Sequence, residues 1–222
     1  MIRYTLAILL LFLGGCASSD IDERPDLPPE TLYLEGMEAL RLEKYAAAAE
    51  RFEEVDRKHP FSPWATRAQV NLIFAHYRKE NYLEALSAAE RFIRLHPRHA
   101  YASYAFYMRG LIHYRQISSA YQDQSRTREA LQAFEEVVSR FPKSDYAWEA
   151  ERMLTLCRDR LAEQEMVVGR YYLDREDYIA AINRFTTVVK TPIYRVTPYA
   201  EEALFSMVLA SLKLGLDEDA RN

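Results

Sequence analysis

The chain has 222 residues, of which 49% are hydrophobic and 13% aromatic, enough to bury a sizeable core. This composition excludes a disordered chain, and the 6 glycines, against roughly 7% in an average protein, disfavour a β-sandwich or a phosphate-binding loop. The 29 basic and 33 acidic residues give a net charge of −4 without any basic block, which argues against direct binding to nucleic acid.

The first fifteen residues have the layout of a bacterial secretory signal. Arg3 is followed by an apolar stretch at 4–13, which is too short for a transmembrane helix of about 20 residues. The string Leu13-Gly14-Gly15-Cys16 resembles a lipobox, in which the cysteine is diacylated and the chain is cut before it. We therefore predict a lipoprotein signal peptide at 1–15 and a covalent lipid on Cys16. An ordinary signal peptide with a chance cysteine is the alternative.

Residues 16–29 are expected to form a flexible tether behind the lipid. The segment 17–29 contains three prolines and five charges and has no apolar period, so it can extend at most about 40 Å from the bilayer. With Cys16 lipidated, Cys157 is the only remaining thiol, and its apolar surroundings favour an inert core residue over a reactive one.

The rest of the chain repeats one pattern. A small residue, an aromatic residue four positions later and a closing proline recur in the segments 45–60, 82–97, 128–142 and 178–192. This pattern resembles the tetratricopeptide repeat (TPR), a pair of helices that stacks on its neighbours. The predicted fold is therefore an all-α TPR solenoid of about five helix pairs. The fifth copy starts at Pro198, and we expect its second helix to be missing or severely shortened.

Each residue type in the repeat has an expected packing role. The glycines allow close approach of the paired helix, the alanines fill the crossing point, the phenylalanines plug the space between helices, and the prolines stop the second helix. These residues are Gly36, Gly110 and Gly169; Ala48, Ala85, Ala130 and Ala181; Phe52, Phe134 and Phe185; and Pro60, Pro97 and Pro142. Phe92 falls at the template spacing in the second copy.

Two departures from the repeat divide the array. Repeat three contains a stretched turn within 111–128, whose polar part at 118–125 is expected to be an exposed loop. Residues 145–172 show unbroken helical periodicity and predict one long helix. We accordingly expect an N-terminal TPR half at 30–142 with repeats one to three, and a long linking helix with a C-terminal TPR half at 143–222.

No catalytic motif stands out in the sequence. There is no metalloprotease motif, nucleophile elbow or glycine-rich phosphate loop, and the pair His96 and His99 is a weak metal motif interrupted by Pro97. We predict a non-enzymatic protein with no metal and no cofactor besides the lipid on Cys16.

The first helix of each pair should form the inner wall of the solenoid and a peptide-binding groove. Aromatic and arginine side chains on this wall suit an extended peptide that is rich in aromatics or ends in a carboxylate. The alternative is that several of the tyrosines merely pack between repeats. The candidate groove residues are Tyr33, Arg67, Phe74, Tyr77, Arg78 and Tyr104, with Tyr107 beside them.

Five strings outside the generic repeat positions resemble a known family. They are FSPW at 61–64, RFIRLHP at 91–97, YMRGL at 107–111, KSDY at 143–146 and RDRLA at 158–162. Together with the lipobox they are similar to the BamD (YfiO/ComL) family of outer-membrane assembly lipoproteins, over nearly the whole chain.

This resemblance implies a scaffold on the periplasmic face of the outer membrane that helps to insert β-barrel proteins. It implies binding to the periplasmic domains of BamA, to a BamC-like accessory lipoprotein and to the C-termini of unfolded outer-membrane proteins. By alignment with the family, Arg184 and Tyr171 are the candidate BamA-docking residues. The alternative is a periplasmic TPR adaptor lipoprotein for DNA uptake or for cell-wall enzymes.

Overall fold

The structure, a computed structural model, describes residues 26–117 and 119–215. The signal peptide, Cys16, the tether up to residue 25 and the continuation of the fifth repeat after residue 215 lie outside the described residues. The described part contains nine helices and no strand. They are α1 (Pro29–Arg41), α2 (Tyr45–Lys58), α3 (Pro63–Arg78), α4 (Tyr82–Leu95), α5 (Ala102–Arg115), α6 (Ser125–Arg140), α7 (Asp145–Asp174), α8 (Tyr178–Lys190) and α9 (Tyr199–Lys213).

The helices pack in chain order as antiparallel pairs. Each helix contacts the next one, and the first helices of successive repeats, α1, α3, α5, α7 and α9, also contact one another in series. The second helices α2, α4, α6 and α8 make no such contacts with each other in the described part of the chain. The first helices therefore line the tighter, concave side of a curved array, which confirms the predicted all-α TPR solenoid.

The turn inside a repeat has the same conformation in repeats one, two and four. Its central residue is a glutamate with positive φ: Glu43 at 56°, Glu80 at 63° and Glu176 at 63°. The amide after this glutamate closes the turn by donating to a carbonyl of the first helix, as Asn81 does to His76 at 3.0 Å. Repeat three replaces this turn with a loop at 116–124.

The second helices of repeats one, two and three end alike. His59, His96 and Phe141, each directly before a proline, have φ between −131° and −129° and ψ between 49° and 52°. A residue before proline is pushed out of the helical region, and proline offers no backbone N–H to continue the helix. Pro60 and the two equivalent prolines therefore stop these helices as predicted.

In three repeats the glycine lies directly against the phenylalanine ring of the paired helix, which agrees with the close approach expected of it. A Cβ atom added to Gly36, Gly110 or Gly169 would lie 2.6, 2.7 or 2.5 Å from the ring of the paired phenylalanine. Repeat two differs, because His76 occupies the position sixteen residues before Phe92 that Gly36 occupies before Phe52.

The expectation of an exposed loop at 118–125 is confirmed for Ser119 and residues 121–123, which are exposed, and was wrong for Ala120 and for the end of the segment. Ser125 already belongs to α6, and Gln124 is buried with 1% of its surface exposed. Its side-chain amide donates to the carbonyl oxygens of Ser119 (2.9 Å) and Gln122 (3.1 Å), and it accepts a hydrogen bond from Thr127. This loop is therefore folded around a buried glutamine.

The end of the predicted tether is held by the fold. Leu27 packs on the core of repeat one, and its carbonyl oxygen lies 3.0 Å from Nε2 of His59. Asp26 forms an ion pair with Lys58 at 3.3 Å, and Pro29 is already the first residue of α1. None of the described helices combines the length and the apolar character needed to cross a membrane.

Candidate functional site

The candidate groove begins where α1 meets α3. Ser62 caps α3 by accepting a hydrogen bond from the amide of Ala65 at 3.1 Å, which fixes the first turn that carries Trp64. The ring of Trp64 lies 5.0 Å from that of Tyr33 between centroids. Nδ2 of Asn71 donates to the Tyr33 hydroxyl at 3.0 Å, so Tyr33 joins the two repeats as well as lining the wall.

An arginine stacks on the surface of this first section. The guanidinium of Arg67 lies 5.1 Å from the centroid of the Trp64 ring. Arg67 is exposed, so its donors face the groove while its planar group covers the indole. Arg67 is thus available to a ligand, whereas Tyr33 is largely engaged within the protein.

The second section lies between α3 and α5. Nε of Arg115 donates to the Tyr77 hydroxyl at 2.8 Å, a contact across the two repeats. Further along α3, the guanidinium of Arg78 lies 4.7 Å from the ring centroid of Tyr45 and 5.6 Å from that of Phe74. Arg78 therefore points towards the start of α2, and Tyr77 with Arg115 forms the middle of the groove.

The third section lies between α5 and α7 and consists of tyrosines. Tyr146 of α7 contacts both Tyr104 and Tyr107 of α5, at centroid distances of 5.5 and 5.4 Å. Burial raises the pKa of the Tyr104 hydroxyl, and the nearby hydroxyls of Tyr146 and Tyr77 add to the shift. These rings are therefore neutral hydrogen-bonding groups near physiological pH.

The candidate groove residues fall into two groups by their contacts and exposure. Tyr33 and Tyr104 mainly bridge repeats, while Arg67 and Arg78 are exposed and Tyr77 is half-buried. Three residues, Trp64, Arg115 and Tyr146, join the wall without having been assigned to the candidate groove. The helical register of α5 could have pointed to Arg115, since it lies eight residues, about two turns, from Tyr107.

The two candidate docking residues lie apart. Arg184 on α8 forms an ion pair with Glu165 at 3.2 Å and borders a crevice between α7 and α8 that is also lined by Tyr172. Tyr171 is rotated about 100° around α7 from Tyr172. It is 50% exposed, and the guanidinium of Arg175 lies 4.6 Å from its ring centroid. Tyr172 and Glu165 were not identified from the sequence.

Cys157 is fully buried, which agrees with its interpretation as a core residue. Burial raises the pKa of its thiol to about 12, so the reactive thiolate is scarce at neutral pH. Across residues 26–117 and 119–215, no group of three or more His, Cys, Asp or Glu side chains is arranged to hold a metal ion.

Comparison with known proteins places this solenoid in a family. The family model described as YfiO, outer membrane lipoprotein, matches residues 25–222. The outer membrane protein assembly factor BamD of Caulobacter vibrioides is 37% identical over 98% of this chain and 72% of its own length. The BamD proteins of Rickettsia prowazekii and Vibrio cholerae are each 36% identical, over 97% and 96% of this chain and 85% and 90% of their own lengths.

A solved structure of the TPR2AB domain of yeast Sti1 covers 86% of this chain and 73% of its own, with 16% identity and a TM-score of 0.48. The family match confirms the resemblance seen in the sequence and the predicted outer-membrane location, and the relatives are assembly factors rather than enzymes. The chain belongs to the YfiO family of outer membrane lipoproteins, together with the BamD outer membrane protein assembly factors.

Proposed function

We propose that the protein is a scaffold for outer-membrane protein assembly whose concave groove binds the C-terminal segments of unfolded outer-membrane proteins. One observation carries this proposal: aromatic and arginine side chains run along α1, α3, α5 and α7 and cross each interface between these helices. The crossing contacts are Tyr33 with Asn71, Tyr77 with Arg115, and Tyr104 with Tyr146.

The chemistry of this wall suits an extended chain with aromatic side chains and a terminal carboxylate. The edges and faces of the tyrosine rings pack on apolar and aromatic side chains of a ligand. Arg67 and Arg115 supply guanidinium donors, which pair with a carboxylate in a bidentate manner. Since Tyr77 already holds Arg115, the guanidinium is positioned before the ligand arrives, which lowers the entropy cost of binding.

The groove can be tested with a fluorescently labelled peptide that ends in phenylalanine with a free carboxylate. We expect Tyr77→Ala to weaken binding in fluorescence anisotropy by about tenfold, because it removes a ring and frees Arg115. Amidation of the peptide should weaken binding to the unchanged protein as well.

Tyr121→Ala is the matched control for this test, since Tyr121 is 83% exposed on the loop between α5 and α6 and takes no part in the contacts that cross the wall. The Tyr121→Ala variant should bind the peptide with the same affinity as the unchanged protein. Equal affinities for Tyr77→Ala and Tyr121→Ala, with native circular dichroism, would remove the groove from this function.

We extend the proposal to the partners. The crevice between α7 and α8 is proposed to dock the periplasmic domains of BamA through Arg184, with Tyr171 on a neighbouring surface. A BamC-like lipoprotein is proposed to lie along the N-terminal repeats. Support comes from the exposure of Arg184, whose side chain is 46% accessible beside Glu165, and from the family membership.

The BamA contact can be tested by co-purification from solubilised envelopes. We expect Arg184→Asp to reduce recovery of BamA severalfold, because the new carboxylate faces Glu165 and whatever acid Arg184 would bind. Arg57→Asp, a reversal on the exposed face of α2, is the control. Undiminished BamA recovery with Arg184→Asp would contradict the assigned crevice.

A further inference from the structure

A second cavity lies on the opposite side of α3 from the aromatic groove. Its walls come from α2, α3 and α4, and it has a volume of about 420 Å³. On α3 the groove residue Phe74 and the cavity residue His76 are two positions apart, which turns their side chains about 200° away from each other. A ligand in this cavity therefore does not compete with one in the groove.

The floor of the cavity contains an imidazole with an unsatisfied nitrogen. His76 is 8% exposed, and its Nε2 lies 3.3 Å from the carboxylate of Glu53 on α2. Its Nδ1 is buried and has no hydrogen-bond partner among the described residues. When Nε2 carries the proton and donates to Glu53, Nδ1 is an acceptor without a donor. Such a buried unpaired atom calls for an explanation.

The walls add an excess of negative charge. Asp56 is already satisfied, since it accepts hydrogen bonds from Arg91 and from Gln69. Glu84 of α4, which is exposed and lines the cavity, has no ion-pair partner in the described part of the chain. The groups left for a ligand at the cavity surface are therefore acceptors: the carboxylate of Glu84 and that of Glu53, whose side chain is 56% exposed beside His76. Nδ1 of His76 is buried and does not reach this surface.

The apolar part of the lining fits the stem of a long basic side chain. Leu72 is buried at the base, and Leu83 is 76% exposed at the rim, where it can cover methylene groups. A divalent cation fits less well, because no three metal-ligating side chains converge in the described residues. A planar guanidinium offers five donors in a fixed fork, which can serve two carboxylates at once.

We infer that this cavity receives an arginine side chain of a protein partner. The guanidinium lies between Glu53 and Glu84, its stem packs on Leu72 and Leu83, and the imidazole of His76 lies next to Glu53, which its Nε2 contacts. The second helices of repeats one and two thus form a recognition surface on the side of the array away from the aromatic groove. This inference does not depend on the peptide-binding role of that groove.

The test is nuclear magnetic resonance of the full chain with ¹⁵N-labelled histidine. The probe is the blocked tripeptide acetyl-Gly-Arg-Gly-amide, and the comparison peptide contains citrulline, which has nearly the same shape but no charge. We expect the ring-nitrogen resonances of His76 to shift saturably with the arginine peptide only. His113, which lines a separate cavity between α4, α5 and α6, is the internal reference and should not shift.

Two substitutions on α4 provide the matched pair. Glu84→Gln should weaken binding of the arginine peptide at least about fivefold, because one charge-assisted pair is lost. Glu90→Gln, equally exposed on the same helix but lining the cavity of His113, should leave the affinity within about twofold. Both positions are on the surface, so neither variant should unfold the chain.

Four outcomes would overturn the inference. The first is the absence of any His76 shift, and the second is an equal shift with citrulline. The third is an equal loss of affinity in Glu84→Gln and Glu90→Gln. A response to a lysine peptide as strong as that to arginine would also refute the guanidinium specificity. Binding of the phenylalanine-ended peptide to the groove is measured separately, so failure of one test leaves the other intact.

Discussion

Repeats one and three solve the packing of a helix pair in the same way, and repeat two solves it differently. In repeats one and three, a glycine faces the phenylalanine ring and a tyrosine one turn earlier packs on that ring. The two tyrosine–phenylalanine pairs have the same centroid distance of 5.8 Å and interplanar angles of 50° and 51°. The residues are Tyr33, Gly36 and Phe52 in repeat one, and Tyr107, Gly110 and Phe134 in repeat three.

In repeat two the corresponding residues are Ile73, His76 and Phe92. Phe92 is still buried, with 1% of its surface exposed. Its ring packs on two imidazoles in place of a tyrosine, with centroid distances of 5.0 Å to His96 and 5.9 Å to His99. The glycine is therefore not required for a TPR pair when the phenylalanine finds other partners. Its replacement by an imidazole also places a polar group at the floor of the cavity between α2, α3 and α4.

The largest effect should come from removing a phenylalanine plug. Phe134→Ala should lower the free energy of unfolding by about 3–5 kcal/mol, since it leaves a cavity between α5, α6 and α7. Urea denaturation followed by circular dichroism measures this loss. Phe205→Ala is the control, because Phe205 is 70% exposed on α9. A cost similar to that of the control would contradict the plugging role.

The glycine contact should give the next largest effect. Gly110→Ala should destabilise the chain by about 1–3 kcal/mol, because its Cβ would lie 2.7 Å from the Phe134 ring. Elsewhere in a helix the same change stabilises by up to about 1 kcal/mol. A double-mutant cycle checks the cause: in the Phe134→Ala background, Gly110→Ala should lose most of its cost. An unchanged cost would place the strain elsewhere.

Sequence spacing was enough to predict that the glycines allow close approach of the paired helix and that the phenylalanines plug the space between helices, although not that each ring lies against a glycine. The offset of sixteen residues between Gly36 and Phe52 follows from the local geometry of one helix pair. The aromatic groove was only partly predictable, since Tyr77 and Arg115 meet across 38 positions and two repeats. Tyr146 was missed because α7 was treated as a linking helix.

The cavity of His76 could not be predicted from the sequence. Whether Nδ1 finds a partner depends on how three helices pack, and a repeat template carries no information on this point. The buried Gln124 was missed for a similar reason. Its hydrogen bonds lie within the loop at 116–124, whose polar composition alone indicated exposure.

Acidification should produce a smaller loss of stability, to which repeats two and three both contribute. Burial lowers the pKa of His113 and of His96 below the ordinary value of 6.5, and His99 adds to the shift of His96. The unfolded chain then binds more protons than the folded chain as the pH falls through 6.5. Stability should therefore decrease on going down through this range and level off once the folded-state pKa values are passed.

Denaturation at about pH 7.5 and about pH 5.5 measures this loss, since histidines titrate in that window. His113→Gln removes one of these imidazoles, so this variant should lose less free energy of unfolding between the two pH values than the unchanged protein. Paired carboxylates such as Glu54, whose pKa is lowered chiefly by the hydrogen bond with Lys58, titrate at lower pH. An identical loss in His113→Gln would show that His113 is not one of the groups responsible.

The smallest effect concerns the turn that repeats one, two and four share and repeat three lacks. Glu80 has a φ of 63°, in the left-handed region that costs a non-glycine residue about 1–2 kcal/mol. Glycine removes this cost but loses about 0.5–1 kcal/mol through the entropy of the unfolded chain. Glu80→Gly should thus raise the free energy of unfolding by about 0.5 kcal/mol.

Glu50→Gly, on the exposed face of α2 with ordinary helical geometry, should instead lower it by about 1 kcal/mol. The difference in sign between the two variants is the informative result, because both lose the same carboxylate. If both variants were destabilised equally, the positive φ of Glu80 would store no strain, and the recurrence of glutamate in these three turns would need another cause.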